Sequence, residues 1–278
     1  MIIGRKFIIL AAAAVLSIAV LSGCAGNQPP MEEEQPEDDY SPGAFMQDMP
    51  VFPDVSEYGT EYLENLIQFR SPDSGAPIAV MQTSMGEIRM VLYPQFAPRA
   101  VENFITHAND GYFDGMIFHR VINDFMIQSG DPSGTGTGGE SVFGDPFEDE
   151  LTSRLINVRG AVSMANPGIP NHNQSQFFIV QNQRYEIPVE ILLQSGYGPN
   201  ESDQFLADIL TLSGVSRDVI SAYIHEGGAP HLDGRHTVFG MVIDGMDVVD
   251  AIAAVETNED DRPLEEVTID SVTIEMAA

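Results

Sequence analysis

The feature that most constrains the fold is a series of short β-rich runs, separated by turn residues, between residues 78 and 276. The first two runs, at 78–83 and 87–93, flank Ser-Met-Gly at 84–86, a spacing that predicts a β-hairpin. Many short strands with few helices fit an antiparallel barrel or sandwich better than a βαβ array. The later β-rich runs lie at 161–166, 175–180, 237–243 and 267–276, and helical patterns lie at 97–108 and 246–255.

Residues 117–139 are the most informative stretch, because two short apolar strands precede a glycine-rich loop. Arg120 is flanked by the apolar residues Phe118 and Val121, and a charge in such a setting is costly unless it is paired or used. One explanation is a structural ion pair within a β-domain. The other is a concave apolar site with one cation at its rim, and this stretch alone leaves both open.

The glycine run at 134–139 does not predict a phosphate-binding loop. It lacks the Lys-Ser/Thr ending of a P-loop and does not open an apolar helix. We interpret it as a loop that needs unusual φ angles or that lets the backbone approach a ligand closely.

The residue pattern supports neither a metal site nor an active site with a nucleophilic side chain. The six histidines include His231 and His236, but no three or four ligands occur at a recognisable metal-binding spacing. There is no G-x-S-x-G elbow, and the single cysteine, Cys24, follows an apolar stretch that predicts an export signal. We therefore expect neither a metal nor a cofactor.

Residues 1–24 predict a lipoprotein signal peptide. Arg5 and Lys6 precede an apolar stretch at 7–20 that is too short to span a bilayer comfortably. Small residues then precede Cys24, which resembles a bacterial lipobox, where the cysteine is lipidated and becomes the mature N-terminus. The alternative is a plain secretory peptide with an accidental cysteine.

Charge and composition divide the remainder of the chain. With 12 basic and 42 acidic residues, the net charge of −30 repels nucleic acid, which is therefore not an expected partner. Residues 25–75 predict an acidic disordered tether, with apolar spacing at 58–69 that predicts a short helix. We expect the compact domain at 76–278, with an insertion of three short helices at 181–230.

Five motifs, in order along the chain, together resemble the cyclophilin family. The resemblance covers residues 78–276 apart from the helical insertion. It implies peptidyl-prolyl cis-trans isomerase activity and a mainly β fold, a closed eight-stranded antiparallel β-barrel capped by two helices. The motifs are Phe118-His119-Arg120, Phe125-Met126-x-Gln128, Ser163-Met164-Ala165-Asn166, Ser175-Gln176-Phe177-Phe178 and the run from His231 to Gly240.

The resemblance also implies roles for individual residues. Arg120 would donate to the prolyl nitrogen in the twisted transition state, and Gln128 would orient it and contact the substrate backbone. Phe125 and other apolar residues would line the proline pocket, although ordinary barrel core is the alternative for each. Many family members carry tryptophan at the position of His231, so this chain departs from the family there. The other substrate-binding residues implied are Met126, Gly136, Ala165, Asn166, Gln176, Phe178, His231, Leu232 and His236.

We therefore expect a monomeric isomerase that assists the folding of exported polypeptides containing X-Pro bonds. A lipid on Cys24 would hold it at the outer face of the bacterial cytoplasmic membrane, or in the periplasm or outer membrane where one exists. The alternative function is a non-catalytic chaperone or scaffold that binds proline-containing segments.

Overall fold

The computed structural model describes residues 52–278. The predicted signal peptide at 1–24, its cysteine Cys24 and the predicted tether as far as residue 51 lie outside the described residues. No helix within the described part of the chain is long and apolar enough to cross a membrane.

Eight strands form one sheet, in the order β3-β4-β6-β5-β7-β2-β1-β8, and every neighbouring pair in that order is antiparallel. This confirms the predicted mainly β, eight-stranded antiparallel sheet. The strands are β1 (Pro77–Thr83), β2 (Gly86–Leu92), β3 (Arg120–Ile122), β4 (Met126–Ser129), β5 (Ala161–Met164), β6 (Phe177–Val180), β7 (Val238–Asp244) and β8 (Ile269–Met276).

The two ends of this strand order also exchange hydrogen bonds. The segment just before β3 pairs with the start of β8, where Ile117 and Thr268 form an antiparallel bridge. The Phe118 amide donates to the Val267 carbonyl at 3.0 Å, and the Ile269 amide donates to the Met116 carbonyl at 2.7 Å. Backbone groups of the segment before β3 and of the start of β8 therefore satisfy each other.

Two helices contribute buried side chains to the hydrophobic core of the sheet. Helix α1 (Pro98–Asn109) has proline in its first turn, where the missing amide proton removes no helical bond. Its Phe104 ring lies 5.4 Å from the rings of both Phe177 and Phe239. The second helix, which we label α5 (Met246–Ala253), buries Val249 and Ile252.

Three further helices fall within residues 189–226, where the sequence predicts three: α2 (Val189–Gln194), α3 (Ser202–Leu212) and α4 (Arg217–Glu226). The described chain divides into two compact units, a helical unit of residues 52–58 with 186–220, and a sheet unit of residues 59–185 with 221–278. Within the helical unit, the Tyr197 hydroxyl donates to the buried Asp208 carboxylate at 2.6 Å.

Residues 59–75 differ from the predicted tether and helix. They form short 3-10 turns, Thr60–Asn65 and Ile67–Phe69, instead of an α-helix. The buried Gln68 side chain both donates to and accepts from the Ile156 backbone, each at 2.9 Å. This paired bond fixes the segment to the sheet unit, which composition alone did not indicate.

Candidate active site

The β3–β4 hairpin places Arg120 directly opposite Gln128. Opposed residues of an antiparallel pair lie on the same face of a sheet. Gln128 in turn lies opposite Phe178 on β6, so these three side chains form a row across three strands. Because strand residues alternate between faces, Met126 belongs to the same face as this row. Gln176, just before β6, joins the row through a hydrogen bond to Gln128. The register and this bond therefore bring together five of the predicted site residues.

Gln128 is hydrogen-bonded to Gln176 and not to Arg120. Its side-chain nitrogen donates to the Gln176 amide oxygen at 2.9 Å. The Gln176 nitrogen then donates to the carbonyls of Gly136 and Gly138, at 3.1 and 2.7 Å. The arrangement joins β4, β6 and the glycine loop, whereas the resemblance implied that Gln128 orients the arginine.

Asp131 organises the glycine loop from inside. Its buried carboxylate accepts hydrogen bonds from the backbone amides of Ser133, Thr135, Gly136 and Gly138. Burial alone would raise the pKa of this carboxyl, but the hydrogen bonds lower it to about 2. The loop is thus folded around an internal anion, which agrees with its interpretation as something other than a phosphate cradle.

Close backbone contact also constrains the start of the loop. Gly130 has a φ of 87°, and a Cβ atom there would lie 2.3 Å from the Ser175 carbonyl oxygen. The Ser175 hydroxyl donates to the Gly130 carbonyl at 2.7 Å. Only glycine fits this position, which holds the loop against the segment that leads into β6.

The apolar part of the site combines strand residues with a turn near the end of the chain. Phe178 and Met126 are buried, whereas Phe125 is partly exposed. The Phe178 ring meets the His236 ring edge-on at 5.3 Å, and Phe125 stacks on His231 at 5.7 Å. His231 and Leu232 lie on a 3-10 turn, Pro230–Leu232, and both are partly buried.

A polar cavity of about 360 Å³ adjoins this apolar part. The Ala165 amide donates to the Gln176 carbonyl at 2.9 Å, which fixes the backbone beside the cavity. Asn166 donates from its side chain to the Arg235 carbonyl at 3.3 Å. The cavity is lined by Gln128, Gly136, Ala165, Asn166 and Gln176, together with Thr137, Gly138, Pro167, His172 and Gln174.

A hydrogen-bond network supports the turn that carries His231 and Leu232. The Tyr223 hydroxyl, on α4, donates to Asp233 at 2.5 Å. The opposite oxygen of Asp233 accepts from the backbone and side-chain nitrogens of Asn157, each at 2.9 Å. Burial raises the pKa of Tyr223, an effect that the neighbouring Asp233 charge increases. Asp233 falls within the motif from His231 to Gly240, but no motif marks Tyr223 or Asn157.

Two other residues near Arg120 were also missed as site residues. Asp261 lies 3.4 Å from the arginine side chain. His119 is buried next to Arg120 in the chain, and burial lowers its pKa. The Phe-His-Arg motif signals His119 by adjacency, but nothing distinguishes Asp261 among 42 acidic residues.

Within residues 52–278, no group of three or more His, Cys, Asp or Glu side chains could hold a metal ion. The arrangement offers instead one cation, several amide groups and an apolar pocket. Such a site can bind a peptide and donate hydrogen bonds to it.

Comparison with known proteins identifies the family. A family model described as "Cyclophilin type peptidyl-prolyl cis-trans isomerase/CLD" matches residues 78–274. The chain belongs to the cyclophilin family. This confirms the resemblance that the five motifs carry, and it makes the chain a peptidyl-prolyl cis-trans isomerase that binds proline-containing peptides.

Two staphylococcal relatives each match about 70% of this cyclophilin. A protein of Staphylococcus saprophyticus named "Putative peptidyl-prolyl cis-trans isomerase" is 47% identical over 195 residues, which are 70% of this chain and 90% of the relative. A protein of the same name from Staphylococcus aureus strain USA300 is 48% identical over 196 residues, with the same coverage.

Solved structures agree with the fold. A crystal structure of a Cryptosporidium parvum cyclophilin-type isomerase has a TM-score of 0.54 and 28% identity, covering 73% of this cyclophilin and 99% of that chain. A second structure of that protein, in the presence of the dipeptide Ala-Pro, has a TM-score of 0.53 and 28% identity, covering 71% and 98%.

Proposed function

We propose that Arg120 is the catalytic group of this isomerase, and that it donates a hydrogen bond to the prolyl nitrogen in the transition state. The X-Pro bond has partial double-bond character, which imposes a barrier of about 20 kcal/mol on its rotation. When the bond twists, conjugation is broken and the nitrogen gains a lone pair that can accept a hydrogen bond. A donor at this position stabilises the twisted state more than the planar one, as catalysis requires.

The observation that carries the proposal is the row of Arg120, Gln128 and Phe178 on one face of the sheet. It sets a cation beside an apolar wall that suits a proline ring. The Arg120 side chain is 43% exposed, so its guanidinium is accessible to a bound peptide. Arg120 would reach the prolyl nitrogen while the ring rests against the apolar residues Phe125, Met126, Phe178 and Leu232.

The polar cavity is proposed to hold the peptide on the amino-terminal side of the proline. The Asn166 backbone would pair with the residue before proline, with Ala165 beside it. Gln128, Gln176 and the loop at Gly136 offer further amide groups, and His231 and His236 flank the apolar pocket. The Ala-Pro dipeptide in the Cryptosporidium parvum study supports a proline-containing ligand for this class of site.

We also propose that the sheet closes into a barrel, with α1 and α5 as its two covering helices. The hydrogen bonds between 116–118 and 267–269 support closure, because they link the segment just before the first strand of the sheet order to the start of the last. Deuterium exchange tests this, since closure predicts slow exchange of the Phe118 and Ile269 amides. Exchange of both as fast as an exposed loop would contradict closure.

We further propose that the enzyme works outside the cytoplasmic membrane, anchored by a lipid on Cys24, on exported proteins. The support is the sequence at 1–24 alone, where a basic start, an apolar stretch and small residues precede the cysteine. Labelling with a fatty-acid analogue in the producing cell should mark the native protein and not Cys24→Ser. Equal labelling of both proteins would contradict the anchor.

The experiment for the catalytic role is a protease-free assay of prolyl isomerisation with the full chain. Arg120→Ala should lower kcat/KM by about 10²- to 10³-fold, the effect typical of removing an oxyanion-type donor. The matched control is Arg89→Ala, since Arg89 pairs with Glu275 on another part of the sheet. Equal rates for the native protein and Arg120→Ala would refute the role.

A further inference from the structure

The side chain of Arg120 has one ion-pair partner among the described residues, and it comes from a distant part of the chain. The Nε atom lies 3.4 Å from Oδ2 of Asp261, with both side chains a little over 40% exposed. A carboxylate on Nε leaves the two terminal nitrogens of the guanidinium available to a ligand.

The backbone of Asp261 is held in an unusual conformation. Its φ is 61°, a left-handed value that few residues other than glycine adopt. Asn258 closes the turn, because its carbonyl accepts from the Asp261 amide at 3.1 Å and its side-chain oxygen accepts from the Arg262 amide at 3.0 Å. The structure thus maintains a strained residue at the point where it meets Arg120.

The same turn is fixed to both sides of the site. The Asp261 carbonyl accepts a hydrogen bond from the Val121 amide at 2.8 Å, directly after Arg120 in β3. The guanidinium of Arg262 donates to the Gly134 carbonyl at 2.9 Å, in the glycine loop. Consecutive residues therefore contact the strand that bears the arginine and the loop that borders the cavity.

We infer that Asp261 is a positioning residue that holds Arg120 in its catalytic orientation, an inference that rests on the proposed role of Arg120. A free arginine side chain has many rotamers, and fixing one before the substrate arrives removes part of the entropic barrier. The carboxylate also partly offsets the positive charge of Arg120. Because solvent screens an exposed ion pair, this electrostatic effect is small, and the effect on the orientation of Arg120 is larger.

The test removes the carboxylate without disturbing the turn. Asn and Gly both tolerate a positive φ, so Asp261→Asn and Asp261→Gly should retain the fold. We expect Asp261→Gly to lower kcat by about two- to five-fold, the range that an exposed ion pair supports. Asp261→Asn should lower kcat less, because its amide oxygen can still accept from Nε. Peptide affinity should stay unchanged, since the pair acts on the transition state. Asp260→Asn, an exposed neighbour on the same turn, is the control.

Two additional readouts distinguish positioning from a structural effect. The Nε proton of Arg120 should exchange faster in Asp261→Gly, as seen by NMR. In an Arg120→Ala background, Asp261→Gly should have no further effect on kcat, because the two residues act through one interaction.

The outcomes separate this inference from the function on which it rests. If Arg120→Ala is strongly impaired but the Asp261 variants retain or increase the native kcat, positioning is overturned and the catalytic arginine stands. If Arg120→Ala retains the native rate, both proposals fail.

Discussion

Gln128 donates its side-chain hydrogen bond to Gln176 at 2.9 Å, although it lies opposite Arg120 in the hairpin. Gln176 continues the contact to the carbonyls of Gly136 and Gly138. The two glutamines therefore connect the β3–β4 hairpin to the glycine loop across the polar cavity.

Replacing Gln176 by alanine should weaken peptide binding. The change removes the acceptor for Gln128 and both bonds to the loop, so the groups that face the peptide lose their fixed positions. We expect KM to rise about ten-fold, the factor that roughly 1.4 kcal/mol gives. Steady-state kinetics would check this against Gln194→Ala, an exposed residue of α2. An unchanged KM would show that the loop is held by other contacts.

Asp131→Asn should destabilise the protein. The buried carboxylate accepts four backbone hydrogen bonds, and a neutral amide oxygen accepts them more weakly. We expect a loss of about 1.5–3 kcal/mol in the free energy of unfolding, measured by urea denaturation at pH 7. The exposed Asp145 provides the control, Asp145→Asn.

The pH dependence of stability, compared between the native protein and Asp131→Asn, gives a second check. The pKa of Asp131 is lowered to about 2, so its contribution is present above the unfolded pKa of 3.8 and is lost as pH falls towards 2. The native protein should therefore lose more stability between pH 4 and 2 than Asp131→Asn does. Parallel curves would contradict the anchoring role of Asp131.

Tyr223→Phe should lower both stability and peptide affinity. It removes the hydroxyl that donates to Asp233 and leaves one carboxylate oxygen without this bond. We expect a destabilisation of about 1–3 kcal/mol and a higher KM, because the turn with His231 and Leu232 is held by the same carboxylate. Tyr112→Phe, whose hydroxyl makes only a 3.4 Å contact, is the comparison. Equal stability of the two variants would refute the network's role.

Buried and partly buried histidines should make the protein less stable as pH falls. Burial lowers the pKa of His119, His231 and His236, because the charged imidazolium is disfavoured there. The unfolded chain then binds protons more readily, so stability is full above the unfolded pKa of about 6.5 and falls below it. The free energy of unfolding should be lower at pH 5.5 than at pH 7.5.

A single substitution isolates the contribution of one histidine to the pH dependence of the free energy of unfolding. The pKa of Asp233 is raised by burial, so that group contributes a slope of opposite sign at lower pH. His119→Gln should therefore show a weaker fall in the free energy of unfolding between pH 7.5 and 5.5 than the native protein. An identical slope in the two proteins would contradict the assignment.

Local sequence patterns predicted most of the sheet. Alternating apolar residues and turn signals placed the strands, and the proline at position 98 marked the start of α1. These patterns involve residues close together in the chain, so they can be recognised without knowledge of the fold. The segment at 58–69 was predicted as an α-helix but forms 3-10 turns. Its apolar spacing fits both kinds of helix. The contact that fixes it, from Gln68 to Ile156, joins distant parts of the chain and leaves no local signal.

Contacts between distant parts of the chain could not be predicted from the sequence. Asp261 is 141 positions from Arg120, and only the pairing of the 261 backbone with β3 brings them together. The fold likewise brings Asn157 into contact with Asp233, which also binds the Tyr223 hydroxyl. The family motifs indicated the residues that we propose to face the substrate. They did not indicate Asp261, Tyr223 or Asn157, which contact Arg120 or the turn that carries His231.

The most direct test of the proposed catalytic role of Arg120 compares catalysis and binding in Arg120→Ala. NMR exchange spectroscopy on an Ala-Pro peptide gives the catalysed cis–trans rate, and peptide titration gives the affinity. Because Arg120 is proposed to act on the twisted state, we predict a rate loss of about 10²-fold or more with affinity changed only a few-fold. A native rate in Arg120→Ala, or a loss explained entirely by weaker peptide binding, would contradict the account.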